Sequence, residues 1–380
     1  MSIRDCESIS FRIVQKSAYI RTKYFRISII VFIFVLLIIF LMVSDSVINK
    51  ISTHKLSSSC ILCPFENTTF QTKAEIVHFS IFVSDNTHHH PINILFSFVH
   101  ANSNLKLKNK LNRCISSLFN YATPALHLHI LTDRSSLNST IQVLEETAPL
   151  ARTAVRVSLY DANIFMKPLQ ELIDSLKPHF SFKQGAYYSD GIFYISIGLF
   201  KVMTLNKIII IDIDVKFLSD VKLLYDYFDK FPTEAMIGIA REQQPVYRHI
   251  LNEYRRRHNG TKIGNPPPDG ISGYNSGVLL LDLEKMRNSS LYSEIINNSS
   301  ITLALIEKYK FKGHLGDQDF YTLLSFEYSY LFYTLPCIWN RQLCKWWKYH
   351  GYQNVFDLYY SCPGKVHLFH GNCNSAIPES

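Results

Sequence analysis

Charged side chains are scarce in this chain, 18% of 380 residues against 47% hydrophobic. So low a charge content excludes a self-repelling, disordered polymer and allows a large buried core in one or two domains. A basic surface is missing too. Residues 1–26 hold six basic and two acidic side chains, half of the formal net charge of +8. The rest is too thinly spread to support nucleic-acid binding. Arg255-Arg256-Arg257-His258 is short and reads as a solvated helix face. No Ala-x-Ala-like site follows the first apolar run, which argues against a cleaved signal peptide. No Lys-Asp-Glu-Leu signal supplies an address.

What is present begins with residues 27–43, continuously apolar except for Ser28 and preceded by Arg4, Arg12, Lys16, Arg21, Lys23 and Arg26. This pattern predicts a single-pass type II signal anchor at residues 27–43, behind a cytosolic tail at residues 1–26. Its shortness favours the endoplasmic reticulum membrane, with the Golgi as second choice. The Ser-, Thr- and His-rich residues 44–91, including His88-His89-His90, read as a lumenal stem, with a folded domain over 92–380. Asn-x-Ser/Thr acceptors at Asn67, Asn138, Asn259, Asn288, Asn297 and Asn298 suit a secretory chain. Cys337, Cys344, Cys362 and Cys373 contain no Cys-x-x-Cys, so two disulfides are favoured over zinc. All three pairings stay open. Cys337–Cys362 with Cys344–Cys373 is a guess among them. Cys60-Ile-Leu-Cys63 does have the short spacing, but it lies in the stem with no strand before it.

The folded part is organised around Lys207-Ile-Ile-Ile-Ile-Asp-Ile-Asp-Val215, an apolar run that stops at Asp212 and Asp214. β-branched and non-alternating, it reads as a strand covered on both faces, and ligands of such sheets sit at strand carboxyl ends. Two oxygen donors there suit a hard divalent ion that also holds a diphosphate; on their own, paired aspartates at a strand end are more often turn formers or caps. Before it, strands at residues 92–99 and 154–159 flank the alternating run 126–130, whose His127 and His129 fall on the more polar, partly solvated face. Helical patterns lie between them. The βαβαβ order predicts a parallel sheet. After it, a proline-rich loop delivers Ser272-Gly-Tyr-Asn-Ser-Gly277 into a strand at 278–281, its glycines allowing close backbone approach and Asn275 offering donor and acceptor. As the bland alternative, it is a good turn. Gly313-His-Leu-Gly-Asp-Gln-Asp-Phe320 opens a helix that Asp317 could merely cap.

Four separated pieces, Asp212-Ile-Asp214, Tyr274-Asn-Ser-Gly277, Gly316-Asp-Gln-Asp319 and His370-Gly-Asn372, resemble in that order the family 8 retaining glycosyltransferases of glycogenin type. Residues 237–249, 313–320 and 339–344, with the terminal His-Gly-Asn-Cys-Asn, place the resemblance in the branch that extends xylosides; it is strong over 192–380 and faint before. It implies a GT-A fold, an α/β Rossmann-like domain behind the anchor, with UDP-α-xylose as donor. Asp212, Asp214 and His370 would hold Mn2+, with Mg2+ as the alternative ion. By the same resemblance Gln318 and Asp317 are the catalytic candidates, with no side-chain nucleophile and attack on the leaving-group face. Phe98, Val99, His100, Asp212, Ser272, Tyr274, Asn275, Ser276, Gly277, Gln318 and Asn372 would bind donor; Trp347 and Asn340 would meet acceptor. The implied partners are a xylosyl-glucose O-glycan on EGF repeats of Notch-type receptors and the membrane, with α-1,3-xylose the product.

The chain departs from the family pattern in two places. Many family members follow the terminal His-x-x-Gly with x-x-Lys-Pro-Trp, whereas Gly371 here precedes Asn372-Cys373-Asn374-Ser375, with no lysine. The first strand also lacks a threonine-rich end. Two other readings compete: a glucoside xylosyltransferase or family 8 UDP-hexose transferase, and an inactive membrane-anchored lectin or scaffold binding EGF repeats. The intact Asp-x-Asp, Asp-Gln and His-Gly set argues against the last.

Overall fold

The computed structural model describes residues 90–102, 104–181 and 190–379, together with the backbone of Cys63–Pro64 and Glu75–Phe82. The chain divides after Cys60, and all of these residues belong to Ile61–Ser380. The expected anchor at 27–43 lies outside them. Among the described residues no helix is long and apolar enough to cross a membrane.

A nine-stranded sheet forms the centre. Its strands in chain order are β1 (Cys63–Pro64), β2 (Glu75–Phe82), β3 (Ile92–Phe98), β4 (Leu126–Thr132), β5 (Val155–Asp161), β6 (Lys207–Ile211), β8 (Ile237–Arg241), β9 (Tyr274–Asp282) and β10 (Phe332–Leu335); β7 (Val215–Phe217) lies elsewhere. The spatial order is β1-β2-β5-β4-β3-β6-β9-β8-β10. β2 pairs antiparallel with β5, so the sheet reaches back into residues read from sequence as stem. β5, β4, β3 and β6 run parallel, as the βαβαβ pattern predicts. Beyond them the sheet becomes mixed, because β9 lies antiparallel between β6 and β8. Apolar periodicity reports burial and is blind to strand direction.

Alternate residues of the central strands enter opposite layers. Ile208, Leu279, Leu281 and Ile237 pack on one face, and Ile209, Ile211, Val278 and Leu280 on the other. Helices α1 (Leu105–Tyr121) and α2 (Leu137–Thr147) cover the second face through Leu111, Ile115, Leu118, Val143 and Leu144. On the first lie α3 (Gln170–Phe180) and α4 (Asp317–Ser325). Because β4 is covered on both sides, His127 and His129 are buried rather than partly solvated, and each finds a polar partner across the sheet. His127 Nε2 bonds Ser158 Oγ at 3.0 Å and His129 Nδ1 bonds Tyr160 Oη at 2.9 Å.

A small second sheet decides the site. β11 (Arg341–Gln342) pairs parallel with β12 (Leu368–His370), and β12 pairs antiparallel with β7, placing His370 opposite Val215. Two disulfides, Cys337–Cys362 and Cys344–Cys373, tie this region together, one of the three pairings left open by the spacing.

Candidate active site

Strands β3, β4, β6 and β8 run the same way and end on one edge of the sheet, where β9, running opposite, begins. Asp212 leaves β6 with its N–H on the Gly277 carbonyl at 3.0 Å, and Gly371 N–H donates to the Asp214 carbonyl at 2.7 Å. These two bonds bring together chain segments that are far apart in sequence. His370 Nε2 lies 3.3 Å from Asp214 Oδ1 and 3.6 Å from Asp212 Oδ2. Ligand atoms of the three residues fall within 4.8 Å of one another, which makes a possible metal site. Gly277 belongs to the same construction: a Cβ there would stand 2.3 Å from His370 Cε1. Glycine is needed for the imidazole to enter.

The donor set fits a hard divalent ion. Asn340 Oδ1 accepts from His370 Nδ1 at 2.9 Å, leaving the Nε2 lone pair toward both carboxylates. Burial disfavours charge on His370, but the bond and charge of Asp214, then the charge of Asp212, raise its pKa. Although burial opposes it, the same His370 bond, with the Lys110 charge, holds Asp214 well below the usual carboxylate range. Asp212 moves up, to about 6, through the protein around it and then the Asp214 charge. With 58% of its side chain open, the neighbouring charge is the firmer cause. A divalent ion entering such a cluster displaces a proton.

Behind the triad runs a ladder of amides and acids. Asn340 Nδ2 donates to Asn275 Oδ1 at 2.9 Å; Asn275 Nδ2 donates to Glu242 Oε2 and to Gln318 Oε1, both at 3.1 Å. Gln318 Nε2 reaches Glu242 Oε2 at 3.3 Å and Tyr247 Oη at 3.2 Å, and Tyr247 O–H donates to Asp319 at 2.9 Å. Asp317 accepts from Ser276 Oγ at 2.9 Å and Ser196 Oγ at 2.5 Å, so it is no helix cap; Gly316 holds that position. Burial pushes both Asp317 and Glu242 up to about 7.

The structure thus gathers Asp212, Asp214, His370, Asn275, Ser276, Gly277, Asp317 and Gln318, and it relocates others. Tyr274 through Gly277 are the start of β9 rather than a preceding loop. Tyr274 Oη bonds Thr334 on β10 and its ring stacks on Phe332, which ties it to the sheet edge. Asn340, expected to meet acceptor, is fully buried and holds His370 instead. Phe98 is core and offers only backbone, and Ser272 is buried with its hydroxyl on the Gly273 carbonyl. Asn372 Oδ1 is occupied by the N–H groups of Leu343 and Cys344. Val99 is half-buried against the larger core, while His100 stands exposed with φ +56°. Trp347 is half-buried between His249 and Tyr352, whereas Trp346 is 51% exposed with His350 stacked on one face of its ring at 3.8 Å. Glu242, Tyr247, Ser196 and Lys110 were not singled out from sequence. Of these only Glu242 carried a signal, since it directly follows β8.

A mixed α/β sheet with paired aspartates at the carboxyl end of its central strand, closed by a histidine from the chain terminus, is a GT-A-like glycosyltransferase domain. A family model described as "Glycosyl transferase family 8" matches residues 82–349, and the chain belongs to that family. His370, expected from the resemblance, lies beyond the matched residues, and the geometry brings it into the site. Xyloside xylosyltransferase 1 of Homo sapiens is 41% identical over 293 residues, 75% of this chain and 74% of that protein. Xylosyl- and glucuronyltransferase LARGE2 of Mus musculus is 30% identical over 241 residues, 60% of this chain and 29% of that protein. The crystal structure of mouse xyloside xylosyltransferase 1, apo form, matches with TM-score 0.72 and 39% identity, over 76% of this chain and 100% of that chain.

Proposed function

We propose that the chain is a retaining, Mn2+-dependent xylosyltransferase that takes UDP-xylose and adds the terminal α-1,3-xylose to a xylosyl-glucose O-glycan on EGF repeats of Notch-type proteins. The observation that carries this reading is the complete triad and amide ladder in a chain 41% identical to a xyloside xylosyltransferase. Asp212, Asp214 and His370 hold the ion. When bound, it offsets charge on the departing UDP. Asn275 and Glu242 fix the Gln318 amide, and Ser276 and Ser196 fix the Asp317 carboxyl, so both groups meet the donor sugar in one orientation. Trp346, half-exposed and stacked on His350 by one face, keeps its other face for the acceptor.

The experiment is transfer from a panel of UDP-sugars, with Mn2+ or with chelator, onto a xylosyl-α1,3-glucosyl EGF repeat. Xylose transfer from UDP-xylose alone, abolished by chelator, is the expected result. Transfer of a hexose instead would overturn the donor assignment, and binding of the glycopeptide without any transfer would replace the enzyme by a scaffold. We further place the chain in the endoplasmic reticulum membrane as a type II protein, anchored by residues 27–43 with its domain lumenal. Protection of the domain from protease in sealed microsomes, lost with detergent, tests that topology.

A further inference from the structure

The site's charge is unbalanced in one respect. Two aspartates balance the charge of a divalent ion and a neutral imidazole adds none, so the loaded triad carries no surplus positive charge to neutralise the whole of a diphosphate. Residues 371–379 contain no lysine or arginine. The remaining cation comes from α1. Lys110 Nζ donates to Asp214 Oδ2 at 3.3 Å and to Asn374 Oδ1 at 2.8 Å, which leaves its third N–H for another acceptor. Among the described residues it is the one lysine or arginine paired with the triad. Its side chain is 23% exposed, so a ligand can reach it.

This placement is built into the helix. Asn104 caps α1 by accepting from the Leu107 N–H, and Ser117 Oγ receives the Phe217 N–H at 3.0 Å, pinning α1 to β7 just beyond Asp214. One turn after Lys110, the buried Cys114 thiol is pushed up by burial and then by the charges of Asp214 and Asp212, so this helix face abuts the acid pair. The two Asp214 oxygens divide their duties: Oδ1 faces His370 and Oδ2 faces Lys110.

We propose that Lys110 grips the diphosphate of the nucleotide-sugar donor and of the UDP that leaves, while staying bonded to Asp214 and Asn374. The inference rests on the UDP-sugar reading above and names a residue from α1 for a task that the C-terminal loop has no cation to perform. It is a binding residue whose charge matters, distinct from one that only orients Asp214.

Lys110→Gln separates the two roles. The binding of UDP with Mn2+, of uridine with Mn2+, and of Mn2+ alone is measured on the whole chain by calorimetry, ligand-observed NMR and electron paramagnetic resonance. Expected is a roughly 10- to 100-fold loss for UDP, as for a charge-assisted phosphate bond, with uridine unchanged. Mn2+ alone should bind as tightly or more tightly, since a like charge has been removed. Lys110→Arg should recover most of the loss. Unchanged UDP affinity, equal losses for UDP and uridine, or a loss confined to Mn2+ would each overturn the proposal. If the parent chain itself fails to bind UDP, the UDP-sugar reading falls first and this inference with it.

Discussion

Two histidines of this molecule stand at strand ends against two carboxylates each, and they do opposite things. His370 is 4% exposed and aims one nitrogen, Nε2, at both Asp212 and Asp214, its other nitrogen being held by Asn340. His100 is 73% exposed and splits its nitrogens, with Nδ1 3.5 Å from Asp133 and Nε2 2.8 Å from Asp190. The first arrangement converges three donors on one point; the second strings a bridge across a surface. Residue types alone therefore do not make a metal site. What distinguishes the two is the amide behind His370, which fixes the tautomer, and the glycine beside it, which makes room.

The comparison can be broken most severely at the acid. Asp214→Asn should lower turnover at least about 100-fold, read as initial transfer rate with saturating Mn2+, because a ligand and its charge are lost together. Asn340→Ala should be milder: the imidazole stays but loses its orientation, and Mn2+ affinity should fall roughly 10- to 100-fold by calorimetry. At the other histidine the effects are on stability. Asp133 is pulled below the ordinary carboxylate value to about 2: bonds from the His100 N–H, the Ser135 hydroxyl and Ser136 outweigh the burial that opposes them. A carboxylate lowered in the folded state adds stability that is complete above its unfolded pKa and is lost as pH falls through the folded one. Asp133→Ala should thus cost about 2 kcal/mol in denaturant unfolding at pH 7, with the difference shrinking as pH drops from about 4 toward 2. Smallest is His100→Gly. Relief of the left-handed backbone and loss of the exposed hydrogen bond to Asp190 oppose each other, so the unfolding midpoint should correspond to a change within about 1 kcal/mol.

The same contrast explains what could be read from the sequence. Asp212, Asp214, Asn275 and Gln318 were legible because each sits at the edge of a strand or helix whose apolar pattern is unmistakable, and because spaced motifs repeat a family order. His370 became visible only through that resemblance. Asn340 was singled out for the wrong partner: its task depends on β9 and β12 meeting beside it, and no local pattern announces that. Lys110 lies on an ordinary amphipathic helix, and its use follows from a contact with a residue 104 positions away. The direction of β9 was not legible for a related reason. A strand buried on both faces reads alike in either direction.

The most direct test of the central claim, that His370 and the aspartate pair form the metal centre of this transferase, is an electron paramagnetic resonance titration of free Mn2+ with the parent chain, Asp214→Asn and Asp133→Ala side by side. The account predicts one tightly held ion in the parent and in Asp133→Ala, and none in Asp214→Asn. An ion retained by Asp214→Asn, or lost from Asp133→Ala, would contradict it.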